Sequence, residues 1–137
     1  MKRLEAVPAN YVYHVWDRVE PFITSALSKS TSEYTAEHIK LYLTEGQQTL
    51  VIIIDDDNVI HGAITVRFTN YPNDRVAFVT AVGGKFVADK ALWIQFEDWM
   101  RQAGATVMRG AAYESVARLW RRAFGVETRC VIVEKKL

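Results

Sequence analysis

The sequence is poor in cysteine: Cys130 is the single one among 137 residues. One cysteine cannot form an internal disulfide or a zinc site that needs several cysteines. Its neighbours Val131 and Ile132 indicate a packed strand residue. No apolar run approaches the length needed to span a bilayer, and the opening residues MKRLEAVPAN lack the apolar core of a signal peptide. We therefore expect a protein of the reducing cytoplasm without a membrane partner.

An excess of charge of either sign is also lacking, since seventeen basic side chains stand against sixteen acidic ones, a net charge of +1. Without a global field, nucleic acid and acidic membrane surfaces are not expected partners. The histidines show no metal-ligand spacing. The run Asp55, Asp56 and Asp57 indicates a solvated turn, because consecutive carboxylates in a hairpin cannot all face one ion. The sequence predicts no metal site.

Large apolar side chains are abundant: half of the residues are hydrophobic, including four Trp, six Tyr and six Phe. A chain of this length and composition can bury a sizeable core. It contains no repeat, linker or low-complexity segment. We expect one domain over residues 1–137.

Hydrophobic periodicity predicts an α/β fold in the order β–α–α–β–β–β–α–β–α–β, with a mixed, largely antiparallel sheet. Short turns at 55–58 and 71–74 predict an antiparallel meander, and Pro21 predicts a kink or two short helices. The predicted strands are 3–7, 50–54, 59–69, 76–82, 106–111 and 129–134. Four helices are predicted. The first two contain the apolar stripes 11–23 and 39–43, the third runs from about Asp89 to just before Gly104, and the fourth covers 114–123.

The junction after strand 76–82 contains Gly83, Gly84 and Lys85, followed by a helix from about Asp89. Adjacent glycines permit unusual backbone geometry, and backbone amides near a helix N-terminus can receive a phosphate, to which Lys85 would add charge. The alternative is a tight turn with a solvated lysine. Asp89 is a good helix cap, but it would repel a phosphate.

This order of elements, with a meander before the long helix and a last helix that reads SVARLWRRAFG, resembles the GCN5-related N-acetyltransferases (GNAT) over nearly the whole chain. In style the sequence is also similar to small GNAT-like proteins encoded by tailed bacteriophages. The resemblance implies a sheet splayed between strands 76–82 and 106–111. Acetyl-coenzyme A would lie in the resulting V, with its pantetheine arm on the backbone of the first strand.

The resemblance also implies site residues. The cofactor site would comprise Ala81, Val82, Gly83, Gly84 and Lys85. In the family a base, often a Glu, takes the proton of the amine, and a Tyr of the last helix commonly protonates the leaving thiolate. Glu114 and Tyr113 are the candidates for these catalytic roles. Two departures stand out: the spaced Arg/Gln–Gly–Gly pattern of the phosphate loop is missing, and Trp120, which cannot act as a general acid, takes the place of the Tyr.

Two functions are consistent with these residues. The first is transfer of an acetyl group from acetyl-coenzyme A to an amine of a small molecule or a protein. The second is a catalytically degenerate GNAT-like domain that acts as a binding or virion assembly factor, in the host cytoplasm or the virion. A protein partner would meet the basic cluster Arg118, Arg121 and Arg122, for which a solvated face is the alternative. His61 is a further candidate base, without a visible partner in the sequence.

Overall fold

A computed structural model describes residues 1–31, 33–84 and 89–137. The predicted order of elements is confirmed as far as the last helix. A turn of 3-10 helix, Ala9–Tyr11, precedes the first α-helix. The strands are β1 (Arg3–Val7), β2 (Thr49–Ile54), β3 (Ile60–Asn70), β4 (Arg75–Gly84) and β5 (Val107–Gly110), and the helices are α1 (Val12–Leu27), α2 (Ala36–Thr44), α3 (Lys90–Gln102) and α4 (Glu114–Phe124).

The five strands form one mixed sheet in the order β1-β2-β3-β4-β5. The first four are antiparallel to their neighbours, and β5 is parallel to β4. Short turns join β2 to β3 and β3 to β4, which permits only antiparallel pairing, whereas the α3 crossover permits a parallel return. The predicted meander is confirmed, and residues 3–7 pair with β2 as the edge strand.

Helices cover both faces of the sheet, and alternate residues of each strand supply the two cores. Leu50, Ile52 and Ile54 of β2 pack with α1 and α2. Val51 and Ile53 point the other way and pack with α3. All five side chains are at most 5% exposed, which accounts for the unbroken apolar run of this strand.

The first two helices follow their sequence signals, with one exception. Thr35 caps α2: its hydroxyl accepts from the backbone N–H of His38, while His38 Nδ1 accepts from the Thr35 backbone N–H. However, α1 is one continuous helix through Pro21, so the alternative of two short helices is wrong, and the kink stays a prediction. Pro21 and Asp17, whose carbonyl loses its partner, are both exposed, and water can replace the missing bond.

The predicted closing strand 129–134 does not form, and this prediction is wrong. Residues 129–137 are exposed and belong to no strand or helix, with Val131 80% and Val133 88% exposed. Cys130 is therefore exposed and not a packed strand residue. Alternation reports β propensity, but a strand also needs an edge to pair with, and β5 is only four residues long.

Candidate active site where β4 and β5 separate

The parallel strands β4 and β5 stay paired over a short distance and then part. Their register runs from Val76 opposite Val107 to Val79 opposite Gly110. Beyond Val79, β4 continues to Gly84 and is paired with β3 alone. In the described part of the chain, the β5-facing edge of Thr80–Gly84 thus carries backbone groups without a strand partner. Such groups require hydrogen-bond partners from elsewhere.

A β-bulge marks the position of the separation. Val66 of β3 pairs with Val79 and Thr65 pairs with Ala81, which leaves Thr80 as an extra residue. The Thr80 hydroxyl lies 2.6 Å from the Thr65 hydroxyl and donates to Gln48 Oε1 at 2.7 Å. Because Thr65 and Gln48 are buried, this network fixes the bulge, and a bulge bends its strand. The available sequence signal for it was a threonine, Thr80, within the mostly apolar strand β4.

Close packing explains why the two residues at the end of β4, Gly83 and Gly84, are glycines. A Cβ on Gly83 would overlap the carbonyl group of Phe22 in α1. Gly84 has φ +96°, and a Cβ there would overlap the carbonyl oxygen of His61. Both glycines thus belong to β4 rather than to a loop after it.

The predicted cofactor-binding set therefore divides between the strand and the segment after it. Ala81 is buried against the α1 side and Val82 is partly buried against the α3 side. Lys85, like the rest of the predicted phosphate loop, lies outside the described residues. Asp89 caps α3 as predicted, accepting from the backbone N–H of Leu92 at 3.1 Å. The assignment of Ala81–Lys85 to a cofactor stays a prediction.

The predicted catalytic residues lie together at the start of α4, shortly after β5 ends. Tyr113 is the residue before the first turn, its side chain is 58% exposed, and it makes no capping bond. The Glu114 carboxylate pairs with the Arg121 guanidinium, which also donates to the Thr128 hydroxyl. Arg121 is therefore engaged within the chain, while Arg118 is exposed.

His61 has a partner that sequence reasoning missed. Its Nε2 lies 2.7 Å from Asp55 Oδ2. The pKa of Asp55 is lowered to about 2, chiefly by this hydrogen bond and next by the backbone N–H of Val59. An ionised carboxylate only accepts, so Nε2 carries the proton. No group of three or more His, Cys, Asp or Glu residues that could hold a metal ion occurs among the described residues.

Two open cavities lie on the α3 side of the sheet, away from the separation of the strands. One, of about 220 Å³, lies between β1 and α3. The other, of about 280 Å³, lies between α3, β5 and the end of α4. Neither includes Thr80–Gly84, and the unpaired strand edge is the stronger indication of a site, because its backbone groups need partners.

No protein-family profile and no curated protein sequence matches this chain. In the described residues, no helix is long and apolar enough to cross a membrane. Solved structures do match the fold. An aminoglycoside acetyltransferase from an uncultured soil metagenomic sample, in complex with sisomicin, has 13% identity and a TM-score of 0.69, with 99% of this chain and 96% of that chain covered.

Two further structures match over similar lengths. The ribosomal-protein-alanine N-acetyltransferase from Brucella melitensis biovar Abortus 2308 has 9% identity and a TM-score of 0.65, covering 100% of this chain and 99% of that one. An aminoglycoside N-acetyltransferase from Acinetobacter baumannii has 13% identity and a TM-score of 0.62, again covering 100% and 99%. None of these matches links the chain to tailed bacteriophages. Similarity at this identity concerns the fold alone: the chain has the mixed α+β fold of the GNAT acetyltransferases.

Proposed function

We propose that this protein is an acetyltransferase that moves an acetyl group from acetyl-coenzyme A to an amine. The observation that carries the proposal is the backbone edge of Thr80–Gly84, which β5 leaves unpaired beyond Val79. The bulge at Thr80 lies at the same point. An edge of this kind binds an extended ligand through main-chain hydrogen bonds, as a sheet binds an added strand.

The hydrogen-bonding groups of acetyl-coenzyme A match those of this strand edge. Its pantetheine arm is extended and contains two amides, which are donors and acceptors of the kind that an open strand edge lacks. Thr80–Gly84 would hold that arm, and Lys85 would add positive charge toward a phosphate, as the sequence predicts. When bound, the cofactor supplies an acetyl thioester that an amine can attack.

Side chains of the protein have to carry out two proton transfers. The amine nitrogen forms a bond to the acetyl carbon, the carbon–sulfur bond breaks, and the products are an amide and a free thiol. Glu114, at the start of α4, takes the proton that the amine loses. Tyr113, an exposed residue beside it, gives a proton to the sulfur. Both residues follow β5 closely, on the side of the separation opposite the open β4 edge.

The acceptor in this proposal is an amino group. Two of the matching structures are named for acetylation of aminoglycosides and one for acetylation of the alanine of a ribosomal protein. Two of the three names, those of the ribosomal-protein-alanine enzyme and the Acinetobacter baumannii enzyme, state transfer to nitrogen, which supports an amine as the acceptor class here.

The test begins with calorimetric titration of the full-length protein with acetyl-coenzyme A. We expect micromolar affinity, weakened by Lys85→Ala and unchanged by Lys40→Ala, a lysine on α2. Absence of both heat and thermal stabilisation at millimolar cofactor would overturn the proposal. Gly84→Asp is unsuitable as a control, because a side chain at Gly84 would strike the backbone of β3.

The second stage detects acetylated amines by mass spectrometry. Exposed Cys130 would react with thiol reagents, so colorimetric detection of the released thiol requires the Cys130→Ser variant. Formation of amide that depends on both enzyme and acetyl-coenzyme A confirms the transfer. Tight cofactor binding without transfer to any amine in a broad panel would contradict it.

A further inference from the structure

A row of three side chains crosses the sheet beside the separation of β4 and β5. Arg67 of β3 lies opposite Phe78 of β4, and Phe78 lies opposite Arg109 of β5. Directly opposed residues share a face of the sheet. Their sequence neighbours Val66, Ala77 and Met108 pack toward α3, so the row points to the other face, the one that carries α1 and α2. All three side chains are partly buried.

Aromatic rings hold both guanidinium groups of the row in place. Arg67 Cζ lies 5.1 Å from the centre of the Phe78 ring, and Nη1 donates to the Tyr34 hydroxyl at 2.9 Å. Arg109 Cζ lies 5.9 Å from the centre of the Tyr71 ring. A guanidinium stacked on a ring keeps its edge donors available for a further ligand. These contacts therefore position the two arginines and leave other N–H donors of each guanidinium available to a ligand.

Neither Arg67 nor Arg109 forms an ion pair with a carboxylate in the described part of the chain. Arg109 Nε is in addition buried without a hydrogen-bond partner. Two other arginines do form such pairs: Arg101 pairs with Glu97 and Asp98, and Arg121 pairs with Glu114. A buried charged donor without an acceptor is unfavourable, which indicates that a ligand supplies the acceptor.

The row is adjacent to the candidate active site. Phe78 and Arg109 form the pair directly before Val79 and Gly110, the last pair before the strands part. The backbones of Arg67 and Arg109 are two strand spacings apart, about 10 Å across the sheet. A small molecule that contacts either guanidinium can therefore extend to the open edge of β4 at Thr80.

We propose that Arg67 and Arg109 bind the anionic group of the acceptor, which is a small amine that carries a carboxylate or a phosphate. This inference rests on the proposed acetyl transfer and specifies its substrate class. Guanidinium groups bind both oxyanions through paired hydrogen bonds. A polycationic amine such as sisomicin would be repelled at the same position.

Anion binding can be tested without acetyl transfer, by nuclear magnetic resonance of the arginine Nε–H groups in the full-length protein. The Arg109 signal is identified by its loss in Arg109→Gln. Titration with inorganic phosphate and with sodium acetate should shift this signal saturably, whereas sodium chloride at equal ionic strength should not. Arg67→Gln should weaken the apparent affinity at least about fivefold, and Arg122→Gln, on the exposed side of α4, should leave it unchanged.

A titration in which phosphate and acetate shift the Arg109 signal no more than chloride does would overturn the anion site. Equal weakening by Arg122→Gln would also overturn it, because the effect would then be general screening. The wild-type titration decides the outcome, and Arg109→Gln is needed only to assign the signal.

A second experiment compares the acetylation of matched amines. A mixture of L-amino acids is compared with the same amino acids as amides, and phosphoethanolamine is compared with ethanolamine. We expect acetylation of the acids or of phosphoethanolamine at least about tenfold above the neutral partners, a preference reduced by Arg109→Gln. Equal or faster acetylation of neutral amines or sisomicin would refute the substrate class while leaving acetyl transfer intact. Failure of the proposed transfer would appear instead as absent acetyl-coenzyme A binding or as no acetylation of any amine in the panel.

Discussion

The indole ring of Trp120 lies against Gly110, and a Cβ built on Gly110 would stand 2.7 Å from Cζ3 of that ring. Gly110 is the last residue of β5 and faces Val79, so the ring packs at the point where the two strands part. In the family that the sequence resembles, a tyrosine takes the place of Trp120. The chain therefore has a larger ring, without a hydroxyl, beside its candidate active site.

The contact predicts that Gly110→Ala is destabilising. The new methyl group forces the indole out of its position, and we expect a loss of about 1–3 kcal/mol in the free energy of unfolding, measured by urea denaturation. In a Trp120→Ala background the same substitution should cost much less, because the obstructing ring is gone. Equal costs in the two backgrounds would show that the ring does not limit the space at Gly110.

Gly83 and Gly46 provide a matched pair of glycine substitutions. A Cβ at Gly83 would strike the backbone of Phe22, whereas Gly46 has φ +79° and a methyl group added there would meet nothing within 4 Å. Gly46→Ala should therefore cost only the backbone strain, about 1 kcal/mol, and Gly83→Ala should cost about 3 kcal/mol or more. Both are measured by urea denaturation.

The same pair distinguishes the packing role of the glycine from a role in cofactor binding. A Gly83→Ala protein of normal stability that has lost affinity for acetyl-coenzyme A would contradict the packing explanation. It would instead support the phosphate-binding role that the sequence suggested.

The hydrogen bond between Asp55 and His61 predicts a dependence of stability on pH. Because the pKa of Asp55 is lowered from 3.8 to about 2 on folding, the folded state favours the carboxylate. The stabilisation is fully present above pH 4 and is lost as the pH falls toward 2. Asp55→Asn, which keeps the shape of the side chain, should therefore show a flatter decline in the free energy of unfolding over this interval. Parallel declines would contradict the assignment.

Substitution at the start of α4 tests the proposed proton transfers. Glu114→Gln and Tyr113→Phe should each lower kcat roughly 10²-fold while leaving the Kd for acetyl-coenzyme A unchanged, because each removes one proton-transferring group. Ser115→Ala, on the same exposed turn, is the control for local structure. A change in Kd without a change in kcat would assign these side chains to binding instead.

Substitution of Trp120 tests the missing hydroxyl. Trp120→Tyr adds a hydroxyl where the family that the sequence resembles has one, so kcat should exceed that of Trp120→Phe by about tenfold. The Phe variant controls for ring size. Equal activity of the two would indicate that the hydroxyl at this position takes no part in the reaction.

Much of the fold is readable from local patterns. Strand β2 contains an unbroken apolar run from Leu50 to Ile54, and α3 buries Leu92 and Phe96 of its predicted apolar stripe. The failure at 129–134 has a specific reason. Val131, Ile132 and Val133 have the propensity of a strand, but propensity does not create a partner edge, and these residues lie exposed.

The candidate site also has features that were predicted and features that were not. The resemblance predicts a sheet splayed between strands 76–82 and 106–111, and the observed register ends at the pair Val79 and Gly110. The bulge at Thr80 was not predicted, because it depends on how β3 aligns with β4. The Asp55–His61 bond was missed for the opposite reason: Asp55 belongs to a turn pattern and His61 to a strand pattern, and neither pattern reports a contact between side chains.

As far as α4, the sequence by itself determined which segments are helix or strand, and that they form a meander followed by a crossover. These properties depend on periodicity, turn residues and caps, all of which are local. Only the tertiary structure decided where β4 leaves β5, why Gly83 is a glycine, and that Arg67 and Arg109 flank Phe78 without a carboxylate in the described chain. These depend on register across strands, and register is a relation between distant residues that no local pattern contains.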